Sequence, residues 1–151
     1  MERTKELARV NEYLEELTFT DQLTGLPNRR FAIQQLSDGW KRSIKNKSNL
    51  ACIMVDADNF KEVNDNYGHA EGDKVLKTLA MTLKKNIATG DVCRLGGDEF
   101  LIVCYNIAPK EIIKQTEIMR KAVEDLKIPT GDGIWQGSVS IGLKLGTLFA
   151  L

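Results

Sequence analysis

Four acids lie where metal and phosphate chemistry could use them. Asp56 closes the apolar run "LACIMV" at 50–55, and Asp58 follows two residues on. Asp98 and Glu99 follow Gly96 and Gly97 in "RLGGDEF", residues 94–100, between two further apolar runs. Should the runs be neighbouring strands, Asp56 and Asp98 or Glu99 converge at one sheet edge. Such hard oxygen donors suit Mg²⁺, which takes one or two carboxylates and completes its shell with water and substrate phosphates. Mn²⁺ accepts the same oxygens. Two such ions can clamp the attacking and leaving oxygens of phosphoryl or nucleotidyl transfer.

Residues around the acids extend this reading. A backbone without side chains at Gly96 and Gly97 lets a bulky ligand approach closely. Lys61 and Arg94 are placed to meet phosphates. Asn64 and Asp73 match the donor-rich edge of a guanine, with Asp73 accepting from its N1 and N2 groups. Each residue also has a plainer role. Two acids after a turn can be solvated surface. Asp58 is assigned first to capping the next helix, ahead of metal binding. Arg94 is divided between a strand-edge ion pair and a phosphate contact. His69, the only histidine, is read as a local hydrogen-bonding residue. Asp21 and Arg29 are read as organisers of an entry turn, and Trp40 and Trp135 as packing residues.

The elements that must position these groups follow from periodicity. Residues 2–17 form an exposed helix with Leu7, Val10, Leu14 and Leu17 at a/d spacing. That stripe serves either the end of a dimer stalk or packing on the chain's own domain. Gly25 and Pro27 mark a turn into a helix reaching about Lys45. The run at 50–55 predicts a strand covered on both faces. The stretch 59–73 predicts a short helix and a loop, and a helix carrying Val75, Leu76, Leu79 and Leu83 follows. Gly96 and Gly97 predict a two-residue hairpin turn. A helix from about Pro109 to Lys127 and a half-buried strand with Val139, Ile141 and Leu143 complete the order. The expected class is α+β, helices packed on a largely antiparallel central sheet.

With 151 residues, 42% of them hydrophobic and 28% charged, the chain suits one domain with a full core. Twenty-one basic residues balance 21 acidic ones, so net charge favours neither a nucleic acid polymer nor an anionic membrane. Cys52, Cys93 and Cys104 lack metal-site or C-x-x-C spacing and read as reduced thiols. No apolar run approaches a membrane span and no signal peptide is evident, so the expected location is cytoplasmic.

"RLGGDEF" resembles the signature of the GGDEF diguanylate cyclase domain. "DQLTGLPNRR" (21–30), "VDADNFKEVNDNYGHAEGDKVL" (55–76) and "VSIG" (139–142) resemble further motifs of that family in the same order, so the likeness covers about residues 18–143. It implies a nucleotidyl cyclase or polymerase palm-like sandwich that condenses two GTP into cyclic di-GMP and releases pyrophosphate. It further implies Asp56, the Ala57 carbonyl and Asp98 as ligands of Mg²⁺ or Mn²⁺, with Glu99 assisting at the metal or at the 3′-hydroxyl. Asn64 and Asp73 would bind guanine, Lys61 the phosphates, and Gly96 and Gly97 would let GTP lie on the hairpin.

Each domain would hold one GTP, so catalysis implies a homodimer, with an upstream sensor domain outside this chain. Residues 1–17 would be a stalk or linker and 18–151 the GGDEF domain. Two departures stand out. The R-x-x-D product-inhibition site common before the signature is missing, since Asp91 is preceded three residues earlier by Ala88. The ending "LKLGTLFAL" does not resemble the family's cationic last helix, so a shortened catalytic segment is expected. That difference raises the alternative of an inactive GTP-binding or regulatory module.

Overall fold

In the computed structural model, residues 2–146 are described, together with all their side chains save those of Glu2, Asn11, Glu12, residues 14–17 and residues 144–146. Helix α1 spans Glu2–Leu17 and α2 Arg29–Asn46. Strand β1 (Leu50–Ala57) leads through α3 (Phe60–Tyr67) into α4 (His69–Asn86). Strands β2 (Asp91–Gly96) and β3 (Glu99–Tyr105) precede α5 (Pro109–Glu124), and β4 (Lys127–Thr130), β5 (Gly133–Gln136) and β6 (Val139–Gly146) follow. The main sheet runs β2-β3-β1-β6 and every pairing in it is antiparallel; β4 and β5 make a separate hairpin. The expected α+β architecture is the one observed.

Alternation along β1 divides the core. Ala51, Ile53 and Val55 face one side, packing with Val75, Leu79 and Leu83 of α4 and with Ile112, Met119 and Val123 of α5. Leu101, Val103 and Cys93 face the other side with Ala32 of α2. Burying a Leu, Ile or Val fully contributes roughly 1.5–3 kcal/mol, and the α4–α5 side carries most such residues. Helix α2 lies over β2 and β3, so Met54 and Leu143 of β1 and β6 remain exposed in an open apolar groove that Ile33 and Leu36 also line.

The thiols are free, and Cys93 and Cys104 are buried. Burial first, then the charge of Asp91, pushes Cys93 up to about 12. Burial likewise pushes Cys104 up to about 11. Both are packing residues, inert as nucleophiles.

Several elements differ from the sequence expectation. Only Gly68, at φ 90°, separates α3 from α4, so 69–73 are helical and the expected loop is absent. Helix α5 stops three residues before Lys127, because the chain turns there into the β4–β5 hairpin. Trp135 is buried as expected, whereas Trp40 is half exposed on α2 at 47%. Leu7 and Val10 are exposed, while the Leu14 and Leu17 side chains of the same stripe lie outside the described residues.

Candidate active site

Two turns meet at one end of the sheet. The first joins β2 to β3. Gly96 pairs with Glu99, leaving Gly97 and Asp98 as the two turn residues after an irregularity between Arg94 and Gly96. The turn is therefore shifted by one position from the Gly96–Gly97 expectation. Gly97 has φ 51° at the first central position, where tight hairpins favour glycine. A Cβ on Gly96 or Gly97 would meet no atom within 4 Å, so packing does not demand these glycines and the space beside them is open.

Arg94 holds this turn. Its Nη2 and Nε donate to the Gly97 carbonyl at 2.9 and 3.2 Å. Its Nη1 donates to both carboxylate oxygens of Asp21, at 3.1 and 3.3 Å. The planar guanidinium spans two acceptors at once, which a lysine ammonium cannot do with the same geometry. Asp21 also accepts from the Thr24 backbone N–H and hydroxyl, and the Arg94 backbone N–H donates to the Pro27 carbonyl. Arg94 is thus an ion-pair residue, and Asp21 organises the entry turn as expected. Arg29 is exposed as the first residue of α2; Asn28 does the local work by capping α2 at Phe31 N–H.

The second turn joins β1 to α3. Strand β1 continues two residues past the apolar run, so Asp56 pairs across the ladder with Glu99 on one side and Ser140 on the other. Ala57 donates its N–H to the Asp98 carbonyl at 3.1 Å, which joins the two turns directly. The Oδ1 atom of Asp56 is buried with no hydrogen-bond partner. Desolvation first, then the charges of Glu99, Asp98 and Asp58, holds the Asp56 carboxyl above the usual carboxylate range.

Asp58 does not cap α3. The cap position is Asn59, at φ 61° and without a side-chain cap bond. The Asp58 carboxylate instead accepts from the hydroxyls of Ser138 and Ser140, each at 2.6 Å.

The remaining site residues lie on α3 and α4. Lys61 is exposed in the first turn of α3. Asn64 turns its Oδ1 inward, buried and unpartnered, against Gly72 of α4, where any Cβ would collide with it. Half-buried Asp73 is the next residue along α4. The fold thus gathers Asp56, Ala57, Asp98 and Glu99 by direct pairing, and it places Asn64 beside the helix turn that bears Asp73. His69 is exposed at the start of α4.

Sequence reasoning did not reach the Asp58–Ser138–Ser140 tie or the close fit of Gly72 on Asn64. The only available hint was the pair of serines flanking Val139.

An acidic hairpin beside the end of β1, on an antiparallel sheet backed by helices, defines a nucleotidyl cyclase-like α+β domain. The family model "Diguanylate cyclase, GGDEF domain" matches residues 18–147, and the chain belongs to that family. It is 35% identical over 132 residues to the response regulator PleD of Caulobacter vibrioides, covering 85% of this chain and 29% of PleD. It is 34% identical over 131 residues to the diguanylate cyclase DosC of Escherichia coli, covering 83% of this chain and 27% of DosC. The chain therefore spans under a third of these relatives. Among solved structures it resembles the diguanylate cyclase SiaD of Pseudomonas aeruginosa, crystallised with its activator SiaC. The TM-score is 0.81 at 30% identity, over 99% of this chain and 58% of that one.

Proposed function

We propose that this chain is the catalytic domain of a diguanylate cyclase. Two GTP molecules, one on each of two facing domains, become cyclic di-GMP. Each 3′-hydroxyl attacks the α-phosphorus of the other nucleotide. Two P–O bonds form, two α–β phosphoanhydride bonds break, and two pyrophosphates leave as two hydroxyl protons are lost.

The observation that carries this reading is Asp56. Its buried oxygen lacks a partner and its carboxyl is crowded by three others, the condition a divalent cation relieves. Asp56, the Ala57 carbonyl and Asp98 would hold Mg²⁺ or Mn²⁺, an all-oxygen set suited to either. Among the described residues no three His, Cys, Asp or Glu side chains form an ion cage by themselves. When bound, the ion would lower the 3′-hydroxyl pKa and neutralise charge at the reacting phosphate.

The chain's own residues do the positioning. Asn64 and Asp73 hydrogen-bond and orient the guanine, Asp73 as acceptor, and Lys61 meets phosphate oxygens. Gly97 keeps the turn open so that the nucleotide lies against the hairpin beside Gly96. Glu99, directly across from Asp56, assists at the metal or at the attacking hydroxyl. The exposed Leu7 and Val10 on α1 support residues 1–17 as a stalk through which two copies pair, below a sensor domain. No helix among the described residues is long and apolar enough to cross a membrane.

The test is incubation of the concentrated chain with GTP and Mg²⁺, followed by identification of products by mass. Cyclic di-GMP that is absent with Asp98→Ala supports the reading. Binding of GTP with no product from the intact chain would replace it with a non-catalytic GTP module.

A further inference from the structure

Every polar group of Asp58 is engaged by the β5–β6 segment. Its backbone N–H donates to the Ser138 carbonyl at 3.0 Å, and its carbonyl accepts from the Trp135 indole at 2.9 Å. Its carboxylate takes both serine hydroxyls at 2.6 Å. Each carboxylate oxygen thus accepts one hydroxyl, and the carboxylate faces β6 instead of capping α3.

The consequence falls on the preceding peptide. In a planar trans peptide, the N–H of one residue and the C=O of the residue before it point in opposite directions. The Asp58 N–H points to β6, so the Ala57 carbonyl is aimed the other way, toward the hairpin that carries Asp98. The Ala57 N–H, bonded to the Asp98 carbonyl, lies on that same side.

Ser140 adds a second effect. It sits across the ladder from Asp56 and is the nearest hydroxyl partner that the register offers. Its proton goes to Asp58 instead, which leaves Asp56 Oδ1 bare.

We propose that Asp58 is a positioning residue: tied to Ser138 and Ser140, it aims the Ala57 carbonyl at the hairpin and keeps the Asp56 carboxylate free for a cation. This rests on the assignment of Asp56 and Ala57 to the metal made above. Residues that orient ligands from behind typically change metal affinity by about 10–100-fold when removed.

The test compares Asp58→Ala, Asp58→Asn and the double variant Ser138→Ala/Ser140→Ala in the full chain. Two measurements are made: calorimetric titration of Mn²⁺ in the presence of GTP, and hydrogen exchange of the amides at 57 and 58. Asp58→Ala and the double serine variant should each weaken Mn²⁺-dependent binding about tenfold and speed exchange at both amides. Asp58→Asn should stay within about threefold of the parent, because its amide accepts from one hydroxyl and donates to the other.

An Asp58→Asn as damaging as Asp58→Ala, with the double serine variant unaffected, would overturn the proposal and make the carboxylate itself a ligand. Unchanged binding and exchange in all three would overturn it as well. Asp56→Ala separates the two levels: if it leaves Mn²⁺-dependent binding intact, the metal assignment has failed, and with it the aim of the brace. The exchange data still report whether the brace exists.

Discussion

The two turns at the site are secured by opposite means. The β2–β3 turn is held by charge: Arg94 grips the Gly97 carbonyl and is itself anchored on Asp21, with side-chain exposures of 14% and 18%. The β1–α3 turn is held by neutral donors, two serine hydroxyls and a buried indole. Both turns carry carboxylates, and like charges at close range repel. A cation near the first turn belongs to the protein and is spent on a carbonyl and a distant acid. Among the described residues no cation is paired with Asp56. The difference teaches that this fold stabilises the backbone of its acidic turns and leaves their charge unbalanced, which suits a site whose counter-ion arrives with the nucleotide.

Breaking the hairpin's chemistry should have the largest effect. Asp98→Ala should reduce cyclic di-GMP formation on the order of a hundred-fold or more, with an unchanged circular dichroism spectrum; near-parental rates would remove Asp98 from the mechanism.

Breaking the charged brace comes next. Arg94→Ala leaves the Gly97 carbonyl without its side-chain donor and Asp21 without its cation, so denaturant titration should show a loss of about 1–3 kcal/mol. Arg94→Lys should recover only part of it, since one ammonium cannot reproduce the fork.

Beyond both braces, the α3–α4 contact at the site can be disturbed by adding one methyl group. Gly72→Ala drives a Cβ into the Asn64 amide, and GTP affinity measured by calorimetry should fall about tenfold, the scale of one hydrogen bond. An unchanged affinity would separate Asn64 from guanine recognition.

The smallest effect sharpens the contrast. The Asp56 carboxyl titrates above its ordinary range in the folded state, so its ionised form costs stability. That cost is present at neutral pH, fades as pH falls from the raised folded value toward the ordinary carboxylate value, and is gone below it. Asp56→Asn should therefore melt slightly above the parent at pH 7, with the gap closing at about pH 4. Mg²⁺ with GTP should raise the melting temperature of the parent and leave that of the variant unmoved.

What the sequence discloses about this site depends on how local the information is. The apolar run at 50–55 and the glycines at 96–97 announce β1 and the hairpin, because each signal lies within its own element. The turn slips by one residue because the irregularity between Arg94 and Gly96 lengthens β2, and pairing of Gly96 with Glu99 is invisible without the partner strand. Asp58 is misread for the same reason: two residues beyond a strand, a lone Asp looks like a helix cap, and its serines lie 80 and 82 positions away. The β4–β5 hairpin is missed because its strands have four residues each and one contains Pro129, which weakens any strand signal. Gly131 and Asp132 between them were the available clue.

The distances along the chain have a kinetic consequence. Arg94 meets Asp21 across 73 residues, and Trp135 reaches Asp58 across 77. Contacts of such separation form only after large loops have closed, whereas the β2–β3 hairpin and the helices require only near neighbours. A partly folded chain can therefore own its signature hairpin and still lack both braces. During refolding, recovery of GTP affinity should trail the recovery of helical signal, so nucleotide capture would report the last step of assembly.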